Sequence, residues 1–366
     1  MGAHSRIACL LILLLGPAAS AQQPSPPAQA GSNKISVDVV VTRKSSPPVS
    51  GLQQQDFTVL DNKAPQTISS FQAVDGRQAS IEVIIVVDAV NAEYHTVAYE
   101  RDQIDRLLRA EGGDLAHATA LAVLEDTGVR YIADFSKDGN RVSASLDQYT
   151  ASLRTVTRSA GFYGATERFQ VSLKGLQEVV ERVSPDSGRK IMVWISPGWP
   201  LLSGPRVGID AKGQEQLFAD AVNFSTALRR GRITLYNVDP LGASEGVGRA
   251  NYWEDFVKGI RKPSQVLPGN LGLQVLAVQS GGLVLTFNND ITALLRTCLQ
   301  DTSAYYEISF DPSTGGGPNE YHQLEIRIAQ HGLTARTWQG YYSQPELQWP
   351  ASPVTPIETG GGRVPH

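Results

Sequence analysis

Three apolar runs end in small polar turns: Ile81-Glu-Val-Ile-Ile-Val-Val-Asp88, Arg189-Lys-Ile-Met-Val-Trp-Ile-Ser-Pro-Gly198 and Arg232-Ile-Thr-Leu-Tyr-Asn-Val-Asp-Pro240. A strand covered on both faces needs such runs, because both sets of alternating side chains meet a core. Between them the apolar spacing shifts to three and four. Val97, Ile104, Leu107 and Leu108 share one helical face, Phe169, Leu173, Leu176, Val180 and Val183 a second, and Leu217, Phe218, Ala221, Val222 and Leu228 a third. A strand is expected from Val129 to Phe135. Leu271 to Gln279 reads as a helix stopped by Gly281-Gly282 and followed by a strand from Leu283 to Phe287. Asp290 is placed to cap a last helix carrying Leu294, Leu295, Cys298 and Leu299. Alternating strands and helices predict an α/β fold, a doubly wound and mainly parallel sheet with helices on both faces. Ligands collect beyond the carboxyl ends of such strands, which puts Asp88 where a site would form.

Both ends of this region are β-rich. Ile35 to Thr42, Phe57 to Lys63 and Ile68 to Phe71 read as strands on one side, and Ala304 to Phe310, Tyr321 to Ile328 and Leu333 to Trp338 on the other. Two or three strands bury too little to stand alone, so residues 34–76 and 301–343 are expected to form one smaller β-sandwich. The α/β domain, residues 80–300, is then inserted into it. Residues 240–270, rich in Gly, Ser and Pro, read as a long surface insertion, and residues 22–33 and 344–366 as a flexible linker and a disordered tail.

The first 21 residues change the compartment. Arg6, the apolar run from Ile7 to Leu15 and Ala19-Ser-Ala21 follow the order of a secretory signal peptide cleaved after Ala21. The run is far short of the ~20 residues that span a bilayer. The mature chain is therefore expected to be exported, to the bacterial periplasm, cell surface or medium, with no transmembrane span. Cys9 leaves with the leader, so Cys298 has no internal disulfide partner and reads as a small buried apolar side chain. Losing Arg6, in a leader that has no acid, takes the formal charge from −4 to −5. No basic cluster marks the chain for nucleic acid or anionic lipid.

The chain resembles a von Willebrand factor type A domain, and more closely the exported VWFA-related proteins abundant in Acidobacteria. The likeness runs from about Ile35 to Tyr342 through Val37-Asp-Val-Val-Val-Thr42, Gly51-Leu52, Asp56-Phe-Thr-Val-Leu-Asp61, Ile84-Ile-Val-Val-Asp88, Gly188 to Ser196, Gly198, Pro200, Ile233 to Pro240, Ser280-Gly-Gly282, Tyr305-Tyr306 and Gly340-Tyr-Tyr342. It implies a protein-binding module with a metal-ion-dependent adhesion site, in which an Asp-x-Ser-x-Ser loop, a Thr and a second Asp hold a divalent cation. Carried onto this chain, the first Asp is Asp88, but Val90 and Ala92 stand at the serine positions and Pro197 at the second acid. Thr166, in a Gly164-Ala-Thr166 loop expected ahead of a helix, is the matching threonine. Asn91 and Ser196 are possible helpers. Asp88 and Thr166 alone predict weak Mg²⁺ or Mn²⁺ binding at an essentially vacant site. The competing readings are structural: Asp88 as a cap on the following helix and Thr166 as a helix N-cap.

Trp199 in Pro197-Gly-Trp-Pro200 admits two readings, an exposed aromatic anchor or a ring closing the sheet's edge. Trp194 reads as core. His95, His117, His322, His331 and His366 lack ligand spacing and are expected on the surface. The function expected is an exported, non-enzymatic, adhesion-type module that binds a protein or cell-envelope component through Asp88, Asn91, Thr166, Ser196 and Trp199. The alternatives are an envelope hydrolase using Glu245, Glu254 and Asp255 of the 240–270 segment, and an envelope scaffold whose site is vestigial.

Overall fold

The computed structural model describes residues 34–343 except 45, 150–161, 201, 203–208, 243–251 and 313–316. The expected leader, linker and tail lie outside the described residues. The central sheet contains β5 (Ile81–Asp88), β6 (Asp114–Glu125), β7 (Gly128–Asp138), β8 (Arg189–Ile195), β9 (Ile233–Val238) and β10 (Val284–Leu285). Their order is β10-β9-β8-β5-β6-β7. All neighbours run parallel except β6 and β7. The chain builds outward from β5 to β6 and β7, then crosses to β8 on the other side. The order therefore reverses between β5 and β8, the switch point where a crevice opens beyond the strands' carboxyl ends.

Helices cover both faces. On one, α1 (Tyr94–Leu108), α2 (Gly139–Tyr149) and α6 (Ile291–Gln300) bury Val97, Ile104, Leu146, Leu294 and Cys298 against Val83, Ile85, Val87 and Ile195. On the other, α3 (Phe162–Val183), α4 (Ala211–Arg230) and α5 (Leu273–Gln279) pack Phe169, Leu173, Phe224 and Leu276 against Ile84, Val86 and Trp194. Asp290 caps α6, accepting the N–H of Ala293 at 2.9 Å.

Two further sheets join the chain's ends. One, β13-β1-β11-β4, contains β1 (Ile35–Thr42), β4 (Ile68–Asp75), β11 (Ala304–Phe310) and β13 (Thr334–Arg336). The other, β14-β12-β2-β3, contains β2 (Phe57–Asp61), β3 (Ala64–Gln66), β12 (Tyr321–Ile328) and β14 (Gly340–Tyr342). Each sheet interleaves early and late strands: β11 lies between β1 and β4, and β12 between β2 and β14. The fold is thus the expected α/β domain with a mainly parallel sheet, inserted into a sandwich made by both ends.

A partly buried ionic layer joins the two parts. Arg232 Nη2 reaches Asp38 of β1 at 2.6 Å and Glu307 of β11 at 2.5 Å. Arg189, fully buried, donates to the Asp301 carbonyl at 2.9 Å and stacks over Tyr305. Arg189 opens β8 and Arg232 precedes β9, so the sandwich grips the sheet at the end opposite Asp88.

Three expectations are corrected. Residues 114–125, given no element by the sequence reading, form β6, whose alanines weaken the strand signal. The strand expected from Leu333 to Trp338 breaks at Thr337, and the chain passes from one sandwich sheet to the other. The 240–270 segment is only partly a surface insertion where it is described: Glu254, Asp255, Lys258 and Leu267 are exposed, but Ile260 and Val266 are buried in the core, and Pro268–Leu271 forms a buried 3-10 turn. Gly and Pro mark irregular backbone, but irregular backbone that carries apolar side chains can still be buried.

Candidate functional site

Asp88 ends β5 and is fully buried. Its Oδ1 accepts the backbone N–H groups of Val90 at 3.1 Å and Asn91 at 2.9 Å, and Asn91 Nδ2 at 3.2 Å. Its Oδ2 accepts from Asn91 Nδ2 at 2.9 Å, Ser196 Oγ at 2.8 Å and Trp194 Nε1 at 3.4 Å. The turn after β5 thus wraps around the carboxylate in the manner typical of Asp at a chain reversal. Burial pushes the Asp88 carboxyl above its ordinary value, and the donors from Asn91, Ser196 and Trp194 oppose that push.

The network extends on both sides. Asn91 Nδ2 also donates to Ser172 Oγ of α3 at 2.8 Å, and Ser172 donates in turn to the Arg168 carbonyl at 2.7 Å. Ser196 Oγ accepts the N–H of Gly198 at 3.1 Å, while the Ser196 carbonyl accepts Asn237 Nδ2 at 2.9 Å. Gly198 has φ +97°, which strains any L side chain, and a Cβ there would displace the Gln274 amide, whose Nε2 would lie 2.1 Å away. Loops after β5 and β8 and the side of α3 are thereby fixed to one another through Asp88.

The five predicted residues do not all converge. Asp88, Asn91 and Ser196 form one hydrogen-bonded cluster. Thr166 sits in the second turn of α3, not in a loop ahead of a helix, so neither the loop position nor the N-cap describes it. Ser172 of α3 joins the cluster through its hydroxyl. Asp88 holds its own turn and does not cap α1, whose N-cap is Glu93. Trp199 is not an exposed anchor: its ring is buried edge-on to Trp194, with centroids 5.7 Å apart.

The donor set bears on the fit to a metal. Mg²⁺ and Mn²⁺ need oxygen ligands; beside the Asp88 carboxylate the cluster contains the Ser196 and Ser172 hydroxyls and the Asn91 side-chain carbonyl, while both Asp88 oxygens already accept from Val90, Asn91, Trp194 and Ser196. Val90 and Ala92 are buried and bring no oxygen. Among the described residues no group of three or more His, Cys, Asp or Glu side chains is placed to hold a metal. The cluster thus lacks the two loop serines of an adhesion site and keeps its first acid.

Two buried polar features escaped the sequence reading. Glu100, on the inward face of α1, is fully buried, and among the described residues neither of its carboxyl oxygens has a hydrogen-bond partner. Burial, then the charges of Asp88 and Asp239, push its carboxyl well above the ordinary range. Its spacing from Val97 and Ile104 is the signal that would have placed it inside. In the sandwich, His322 is buried rather than exposed: its Nδ1 lies 2.9 Å from Asp61 Oδ1, its ring stacks on Tyr341, and Tyr341 donates to Asp61 Oδ2 at 2.8 Å. His322 shares the inward face with Leu324 and Ile326, so the strand period carried that information. His117 is buried as well, and burial lowers its pKa. Glu254 and Asp255 are exposed on the 3-10 turn Tyr252–Phe256, and Glu245 lies outside the described residues.

The sequence matches no protein-family profile and no curated protein. Solved structures with a similar chain path include the SpRpn10 VWA domain, at 11% identity over 58% of this chain and 93% of that one, with a TM-score of 0.32. The manganese-loaded TRAP protein of Plasmodium vivax is 9% identical over 74% and 97%, with a TM-score of 0.35. A human COPII-coat protein is 10% identical over 79% of this chain, with a TM-score of 0.34, and this chain spans about half of it, 49%. These likenesses concern the fold alone. Among the described residues no helix is long and apolar enough to cross a membrane.

Proposed function

We propose that the chain is an exported, non-enzymatic module that binds a protein or cell-envelope component through loops at the carboxyl end of its sheet, without a divalent cation. The observation that carries this reading is the filled hydrogen-bond shell of Asp88. An acid at a switch point serves catalysis or metal binding only if its oxygens can reach a substrate, water or ion. Here both oxygens are committed to Val90, Asn91, Trp194 and Ser196. The carboxylate acts as an internal fastener that gives the β5 and β8 turns a fixed shape, the preorganisation that lowers the entropic cost of binding.

The hydrolase alternative has less support. A general acid of that kind works from a carboxyl kept protonated by an apolar pocket, and Glu254 and Asp255 are exposed. Export rests on the leader pattern at Arg6, Ile7 to Leu15 and Ala19-Ser-Ala21.

The test is affinity capture from envelope extract of the native host, with the full mature chain as bait, in the presence of Mg²⁺ and of chelator. The expected result is the same partner captured under both conditions. Capture lost in chelator and restored by Mg²⁺ would overturn metal independence. Failure to capture any partner, combined with hydrolysis of an envelope polymer by the purified chain, would overturn the binding reading.

A further inference from the structure

A cleft of about 510 Å³ opens between the 257–261 segment and β12 of the sandwich, a volume within the range of ligand pockets. Tyr321 of β12 lies in its lining, and the segment runs flush against that ring: a Cβ on Gly259 would stand 1.9 Å from Tyr321 Cζ. Two hydrogen bonds hold the segment there. Gln279 Nε2 donates to the Val257 carbonyl at 3.0 Å, and the Tyr342 hydroxyl donates to the Ile260 carbonyl at 3.2 Å. One wall of the cleft is therefore fixed by the fold itself, which lowers the entropic cost of binding there.

Charge gives the cleft its chemistry. Lys258 and Arg261 both line it, and among the described residues neither has an ion pair. Glu254 and Asp255, a few residues earlier, are exposed and pair with neither. The acid in the lining, Glu325, has both oxygens on Arg327, at 2.6 and 3.3 Å, so its charge is already met. Burial pushes the Tyr321 hydroxyl up to about 12, and the charge of Arg261 opposes that push, which sets the guanidinium close to the lining ring. Gln323 and Gln339 line the cleft too, with amides that both donate and accept, and Val257 and Leu324 add apolar surface. The whole chain has a net charge of −4, so attraction for an acid belongs to this cleft and not to the surface at large.

From this arrangement we infer that the cleft between residues 257–261 and β12 binds an acidic peptide segment of a partner protein. Arg261 receives a carboxylate on its forked N–H groups, and Lys258 adds a point charge beside it. The glutamine amides match the donors and acceptors of a peptide backbone, and Val257 and Leu324 take an apolar neighbour of the acid. A uronic-acid sugar carries the same charge, but a sugar ring packs its C–H face on an open aromatic ring, and Tyr321 is buried against Gly259. The inference goes beyond the module reading, because the cleft shares no residue with the Asp88 cluster.

The test measures fluorescence anisotropy of a labelled Gly-Ser-Leu-Glu-Glu-Gly-Ser peptide, and of its counterpart with both glutamates replaced by glutamine, against the full mature chain. The acidic peptide is expected to bind at least about tenfold more tightly, the ratio that one charge-assisted hydrogen bond supplies. Arg261→Gln and Lys258→Gln change exposed side chains, so each should melt with the parent while weakening the acidic peptide about fivefold or more. Arg77→Gln, at an exposed turn outside the cleft, should leave the affinity unchanged. Equal binding of the two peptides would overturn the inference, as would a loss in Arg77→Gln as large as that in Arg261→Gln. Tri-galacturonate binding more tightly than the acidic peptide, and released by Arg261→Gln, would overturn the peptide in favour of a sugar. Envelope capture through the Asp88 loops is a separate result, and its failure would leave these affinities unchanged.

Discussion

Asn91 folds back on Asp88, placing its Nδ2 2.9 Å from Oδ2 and 3.2 Å from Oδ1 of a carboxylate three residues earlier. One amide thus spans the acid that ends β5, and the same nitrogen fixes Ser172 on α3. Where a metal site would present lone pairs to solvent, this loop presents donors to its own acid.

The first prediction concerns metal. A cation bound only by the native state at a hundred times its dissociation constant would add about 2.7 kcal/mol of stability. Millimolar Mg²⁺ or Mn²⁺ is expected to leave the melting temperature of the mature chain unchanged relative to chelator. A metal-dependent rise that vanished in Asp88→Ala would restore the adhesion-site chemistry.

The second tests the network as a unit. Asn91→Ala and Ser196→Ala each remove a donor from a buried acid and should each cost about 1.5–3 kcal/mol in denaturant unfolding. Because both act on Asp88, the double variant should depart from additivity by at least about 0.5 kcal/mol. Strict additivity would show that the two residues do not share the carboxylate.

Glu100 gives a prediction in pH. Its folded-state pKa lies well above the ordinary 4.5, so the native state binds more protons than the unfolded chain at any pH between those values. Its contribution is therefore most favourable below about pH 4.5 and is lost as pH rises towards the folded value. Glu100→Met, of similar length and at home beside Val97 and Ile104, should raise the melting temperature at pH 8. The gain should shrink as pH falls towards 4.5. A Glu100→Met chain less stable than the parent at pH 8 would mean that the carboxylate has a partner worth more than its desolvation.

The interleaved sandwich gives the fourth. A chain ending at Gln300 lacks β11 and β12, the strands that cover β1, β2 and β4. Val37, Val39 and Phe57 would lose their burial, at about 1.5–3 kcal/mol for each large side chain. The truncated chain is expected to be insoluble or to lose its cooperative transition in calorimetry. A soluble, cooperatively melting product would show that the two ends fold independently.

Much of the architecture is written in periodicity. The continuous apolar runs of β5, β8 and β9, the helical stripes of α1, α3 and α4, and the alternating ends follow from which faces must avoid water, a property each segment carries locally. The same local reading shows that Val90, Ala92 and Pro197 bring no metal ligand. It does not show what replaces them. Ser172 is 81 residues from Asn91 and Ser196 is 108 from Asp88, so their meeting depends on how α3 and β8 dock beside β5. Docking likewise settled Trp199 in the interior and buried His322, Ile260 and Val266, the last two in a segment whose composition had placed it at the surface. Periodicity fixes which side of an element faces inward. Which polar groups meet there is decided by three-dimensional packing, because a hydrogen bond depends on an approach of a few ångströms between residues that the chain leaves far apart.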